Sequence, residues 1–160
     1  MEVVGKMEIK IRKANIEDLR AIQELNDTLF KLEYENFDSS LKVGWPFTEN
    51  GEKYFKDIIQ KEIAFVAIDK NTIIGYLAGT VDTKNSCIIK LVSELDNFYI
   101  DEKYRNQGIG TKLVDEFKKY CSSKGIEEMK VTASALNVNA IEFYRKNGFT
   151  EFEITLKTTL

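Results

Sequence analysis

The stretch SELDNFYIDEKYRNQGIG, from Ser93 to Gly110, limits what this chain can fold into more than any other. Residues 91–100 read as a strand. A polar turn follows, then Arg105-Asn106-Gln107-Gly108-Ile109-Gly110. Behind it, Leu113, Val114, Phe117 and Cys121 fall on one side of a helix, and Lys112, Asp115, Glu116, Lys118 and Lys119 fall elsewhere. That is an amphipathic helix entered through glycines. A strand feeding such a turn aims free backbone N–H groups at one point, where the helix dipole adds partial positive charge. Glycine lets an anion approach the backbone without meeting a Cβ. The stretch is therefore either a phosphate or pyrophosphate site or an ordinary tight turn. It is not a dinucleotide fingerprint, because Leu113 stands where the third glycine belongs, and no Gly-Lys-Ser/Thr follows for a P-loop.

The rest of the chain sets this unit in a sheet. Met7, Ile9 and Ile11 alternate with Glu8, Lys10 and Arg12, as in a half-buried strand. Asn15 can cap a helix running to about Lys31 or further, with Ile16, Leu19, Ile22, Leu25 and Leu29 as its buried stripe. From Leu32 to Thr48 the pattern breaks into aromatics, acids, Gly44 and the single proline, Pro46. Trp45, Phe47, Tyr34 and Phe37 either line an acceptor pocket, with Glu33, Glu35 and Asp38 at its mouth, or cap the core. A helix over 50–61 follows, then strands over 63–69, 73–81 and 87–100. Gly75 and Gly79 predict a bulge or a close backbone approach. After the helix over 109–124 come a strand over 129–134, a helix opening at Asn137 and closing at Gly148, and a last strand over 152–159. The antiparallel run before a strand–helix–strand unit predicts a mixed, mostly antiparallel twisted sheet flanked by helices, an α/β (α+β) fold. With 160 residues and no repeat or linker, residues 1–160 read as a single domain.

Asn137-Val138-Asn139-Ala140-Ile141-Glu142-Phe143-Tyr144-Arg145-Lys146-Asn147-Gly148-Phe149 supplies a second block. Taken with Arg105-x-x-Gly108-x-Gly110, in this order and spacing, it resembles the GNAT superfamily of acyl-CoA-dependent N-acetyltransferases. The opening Ile11-Arg12-Lys13-Ala14 and Asp18-Leu19 are also similar to that family's first strand and helix. The resemblance implies acetyl-CoA as co-substrate, seated at a splay between the fourth and fifth strands. It implies pyrophosphate contacts from Arg105, Asn106, Gln107, Gly108, Gly110 and Thr111. It implies pantetheine contacts from the strand edge at Phe98, Tyr99 and Ile100, and from Asn137 and Tyr144. The acceptor it implies is a small-molecule or peptide amine, attacked in a ternary complex; a homodimer stays open.

Composition narrows the chemistry. There is no histidine, which removes Ser-His and Cys-His machinery and His-ligated metal sites. No metal is expected. The net charge of −3 gives no electrostatic case for nucleic acid. No apolar run approaches a membrane span, and the N-terminus lacks a signal peptide's apolar core, so a cytoplasmic protein is expected. Cys87 and Cys121 read as free thiols, with Cys121 in the core.

A base must then be a carboxylate, a water relay, or less often Tyr or Lys. A lysine-like amine is neutral about once in 2,500 molecules at pH 7, a cost of roughly 4.6 kcal/mol. Strand alternation places Glu94, Asp96, Phe98 and Ile100 on one face, with Glu94 slightly ahead of Asp96 as the base and a strand-end salt bridge as the other role. The resemblance gives Tyr144 the part of general acid toward the leaving thiolate; otherwise it is a core aromatic. An acyl-CoA-sensing module without turnover is the alternative function.

Overall fold

A computed structural model of the chain describes residues 7–61, 63–82 and 88–160. Strand β1 (Ile9–Lys13) leads through a capping box, Asn15 with Asp18, into a short 3-10 turn and helix α1 (Leu19–Asn36). Residues 37–44 are irregular. A second 3-10 turn at Trp45–Phe47 precedes α2 (Glu49–Gln60), whose first turn is capped by the Thr48 hydroxyl. Then come β2 (Ala64–Asp69), β3 (Thr72–Asp82), β4 (Val92–Ile100), α3 (Ile109–Ser123), β5 (Glu128–Val131) and α4 (Val138–Lys146).

The five strands lie in sequence order, antiparallel except for the parallel β4–β5 pair. One face carries α1 and α2 over Ile22, Phe55, Ile58, Val66 and Tyr76. The other carries α3, whose Leu113, Val114, Phe117 and Cys121 are all buried, with Phe143 and Tyr144 of α4 beside them. Cys121 Sγ sits 3.4 Å from Ser93 Oγ. Cys87 lies outside the described residues.

Three boundaries differ from the sequence reading. β4 starts at Val92, and β5 ends at Val131 because the chain there leaves β4 for the turn into Asn137. The strand expected over 152–159 is not formed. Residues 151–160 are exposed, with Phe152 at 81%, Ile154 at 88% and Leu156 at 90%. Alternation gives a segment two faces, but a strand also needs an edge to pair with, and no neighbour pairs with this one.

The consequential difference lies inside β4. Ala78 faces Asn97 and Gly79 faces Leu95, so Asp96 is an extra, unpaired residue, a β-bulge. The bulge reverses the alternation. Leu95 packs toward α3, but so do Phe98 and Ile100, whereas Tyr99 joins the α1/α2 core. The common face expected for Glu94, Asp96, Phe98 and Ile100 is therefore broken, because an inserted residue shifts a period-2 pattern by one. Gly79 permits close packing at this point: a Cβ there would lie 2.2 Å from Phe117 Cζ and 2.7 Å from the Glu94 carbonyl oxygen.

Candidate active site

β4 and β5 pair only from Val92/Glu128 to Leu95/Val131. Beyond that point β4 runs on to Ile100 with no strand on its β5 side. The two strands thus splay, and alternate backbone N–H and C=O groups of Asn97–Ile100 face the opening. The Phe98 and Ile100 side chains do not: Phe98 stacks on Phe143 at 5.2 Å, and Ile100 is in the core. Tyr99 is 8% exposed, with the Arg105 guanidinium 5.2 Å from its ring centroid. What these residues can offer a ligand is backbone.

At the end of β4, Asp101 caps a 3-10 turn, and Asn106 takes a left-handed φ of 60°. Gly108, at φ 76°, is the N-cap of α3, and no side chain caps that helix. The first α-helical bond recorded there is Lys112 N–H to the Gly108 carbonyl, 3.1 Å. The amides of Ile109, Gly110 and Thr111 precede it, which makes an anion-ready terminus. A Cβ on Gly108 would meet nothing within 4 Å, so the terminus is open at this point. Gly110 serves packing instead, since a Cβ on it would lie 2.9 Å from Phe98 Cζ and 3.0 Å from Phe143 Cε2. It lets α3 press against β4 and α4. Arg105 Nε donates to the Ile100 carbonyl at 2.9 Å, so the side chain braces the loop and leaves its Nη groups for a phosphate. Gln107 Nε2 donates to the Lys103 carbonyl, and Asn106 and Thr111 are exposed. The open glycine, the uncapped amides and the unpaired β4 edge fit a pyrophosphate joined to an extended amide-bearing arm.

α4 packs on β4 through Phe143 and Tyr144 against Phe98. Asn137 Oδ1 accepts from the Ala140 N–H at 3.1 Å, so it is an N-cap whose amide nitrogen remains available. Tyr144 is half-buried among Phe98, Phe143 and Phe149. Burial, then the charge of Glu33 on α1, raise its phenol above the ordinary value, so it keeps its proton at neutral pH. Glu33 is itself raised by burial and by Asp38.

The two β4 carboxylates differ. Glu94 is 3.7 Å from Lys130 Nζ on β5 and accepts a long contact from Thr132, the strand-pair salt bridge weighed from the sequence. Asp96 pairs with no cation among the described residues. Its oxygens accept from Tyr54 Oη of α2 at 3.3 Å and Thr80 Oγ1 of β3 at 3.4 Å. Burial and the charge of Glu94 push it up to about 6, although its outer side meets solvent.

The aromatics of the irregular region divide. Trp45 stacks on Phe30 at 5.7 Å and touches Tyr54 and Phe55, so it joins α1 to α2. Phe47 lies under Arg20, 4.6 Å from ring centroid to guanidinium carbon. Tyr34 and Phe37 stay partly exposed. Sequence reasoning missed Tyr54, Thr80 and Asn97 as site residues, because only the fold brings α2 and β3 to Asp96. Among the described residues no acid or cysteine cluster could hold a metal ion, and no helix is long and apolar enough to cross a membrane.

A helix terminus open to phosphate beside a splayed strand pair is suited to hold an acyl-CoA. The model of the acetyltransferase (GNAT) family matches residues 24–149, and the chain belongs to that family. Its co-substrate is acetyl-CoA. The spermidine N(1)-acetyltransferase of Thermoplasma acidophilum is 32% identical over 149 residues, 89% of each chain. The fold is shared with aminoglycoside N-acetyltransferase AAC(6')-Iy in complex with CoA, at TM-score 0.76, 19% identity, and 99% of this chain against 98% of that one. It is also shared with an aminoglycoside acetyltransferase from an uncultured soil metagenomic sample in complex with sisomicin, at TM-score 0.70, 23% identity, and coverage of 95% and 96%.

Proposed function

We propose that the enzyme acetylates a primary amine of a small polycation, a polyamine foremost, by direct attack on the thioester in a ternary complex. The observation that carries the reading is the Asp96 carboxylate at the bulge, which meets two hydroxyl donors and no cation among the described residues, on the strand whose open edge would hold the thioester arm. Glu33 adds negative charge on the same side, as a polyammonium acceptor requires, while Glu94 and Asp38 are each ion-paired with a lysine. The likeness to a spermidine acetyltransferase supports the same class.

In this reading Asp96 takes the ammonium proton, directly or through one water, and frees the nucleophile. A backbone N–H on the open β4 edge polarises the carbonyl, a donor typically worth ~10²–10³ in rate. Tyr144, protonated before the step, gives its proton to the departing sulfur and is reprotonated from solvent between turnovers. The pyrophosphate rests on the amides following Gly108. Glu94 is the less suitable base, because Lys130 engages it in an ion pair. The reading also takes the exposed 151–160 segment as a strand lent to a second copy, since the outer edge of β5 ends the sheet.

The test is a panel of spermidine, spermine, an aminoglycoside and a lysine peptide, each with acetyl-CoA, read by thiol release. Turnover is expected with the polyamines, and kcat/KM should rise with pH through about 6 on its acid side as Asp96 ionises. Asp96→Asn should lose that limb. Thiol release with none of the amines, despite acetyl-CoA binding, would favour an acyl-CoA-sensing module instead.

A further inference from the structure

Behind Asp96 runs a chain of polar side chains that belongs to neither family motif. Asn26 on α1 is fully buried, and its Nδ2 donates to Tyr76 Oη at 2.8 Å and to Asn97 Oδ1 at 3.1 Å. Asn97 Nδ2 donates to Tyr54 Oη at 3.0 Å. The Tyr54 hydroxyl then reaches Asp96 Oδ2. Its direction follows from its end: an ionised carboxylate only accepts. Tyr54 must therefore give its single proton to Asp96 and accept from Asn97. Asn97 must present its nitrogen to Tyr54 and its oxygen to Asn26. This order leaves Asn26 Oδ1 buried with no protein partner among the described residues. The chain ties both acceptor-side helices to the bulged residue of β4.

We propose that Tyr54, held by Asn97 and Asn26, is a positioning residue that aims the Asp96 carboxylate at the acceptor amine and keeps it ionised at working pH. The proposal rests on Asp96 acting as base. Opposing influences reach Asp96 from the neighbouring strands and helices. Glu94 on β4 resists its ionisation, and Lys130 on β5 is engaged by Glu94. Thr80 on β3 supplies a second donor at 3.4 Å, and Glu33 on α1 acts on Tyr76 at the far end of the cluster. Tyr54 is thus the nearer donor that favours the charged form. Its ring is fixed by Trp45 and Phe55, so the hydroxyl position is set by α2 packing rather than by a mobile side chain.

The experiment is Tyr54→Phe, which removes the donor and keeps the ring. Losing a hydrogen bond to a charged group should move the Asp96 titration and the acid limb of kcat/KM up together, by about one pH unit or more. The KM for acetyl-CoA should stay unchanged, and activity should recover as pH rises. The Asp96 titration is read directly by carboxylate NMR in the resting enzyme. Asn97→Ala, which frees Tyr54 without touching α2 packing, should give a smaller shift in the same direction. An Asp96 titration unmoved by either variant overturns the positioning role. An Asp96→Asn enzyme with the wild-type pH profile overturns the base assignment beneath it, whatever the NMR titration shows, so the two failures are distinguishable.

Discussion

Asp96 illustrates a residue held in an unfavourable state. Burial and the nearby Glu94 push its carboxyl from the ordinary 3.8 up to about 6. A carboxyl raised in the folded state stabilises the fold when protonated; that contribution is complete below the unfolded value and lost as pH rises through about 6. Asp96→Asn cannot ionise. It should therefore melt above wild type at pH 8 and close to it at pH 4, while losing turnover at pH 8. A stability gain of the same size at both pH values would show that the charge is not the cause. Tyr144→Phe tests the other end of the reaction. It keeps the aromatic cluster with Phe98, Phe143 and Phe149. Acetyl-CoA binding should be retained and kcat lowered by about 10²–10⁴ if the phenol acts as general acid. Single-turnover rates, where chemistry is observed, decide this; an unchanged rate leaves Tyr144 as packing.

At the scale of elements, α3 shows two glycines of one motif doing unlike work. Gly108 faces open space with a left-handed backbone, while Gly110 sits against two aromatic rings. Gly108→Asp should therefore act mainly on binding, by placing a carboxylate before the helix amides. Acetyl-CoA at 100 times its dissociation constant stabilises a binding-competent fold by about 2.7 kcal/mol, and this variant should lose that thermal shift. Gly110→Ala should instead lower the melting temperature of the free enzyme, because overpacking costs about 1–3 kcal/mol. Melts of both variants with and without acetyl-CoA separate the roles. A full shift in Gly108→Asp would remove the pyrophosphate assignment.

At the scale of the whole molecule, the sheet has two outer strands, β1 and β5. β5 ends the sheet, and the segment after Glu151 carries Phe152, Ile154 and Leu156 into solvent. Burying each would contribute about 1.5–3 kcal/mol. Two copies exchanging this segment would close both β5 edges in a symmetric pair. Light scattering should then give twice the 18.4 kDa chain mass for wild type, and Phe152→Asp with Ile154→Asp should give a monomer. A wild-type monomer at tens of micromolar would sink the exchange.

Local chemistry let the sequence determine most of the fold and the backbone turn that opens α3. Period-3.6 stripes marked the first three helices: in α3, Leu113, Val114, Phe117 and Cys121 are buried as that pattern requires. Asn15 and Asn137 announced their caps, and Arg105-x-x-Gly108-x-Gly110 marked the uncapped terminus of α3 because the backbone conformation there depends on adjacent residues. Tertiary structure alone decided the surroundings of the β4 carboxylates. The bulge at Asp96 arises from pairing between β3 and β4, so alternation along β4 could not reveal that Asp96 and Phe98 part company. Lys130 reaches Glu94 because β4 and β5 run parallel in one register, and Tyr54 reaches Asp96 across a separation of 42 residues. The 152–159 alternation specified strand-forming faces but not a partner. Periodicity records which way a side chain points from its own backbone; which groups meet is set by the packing of elements distant in sequence.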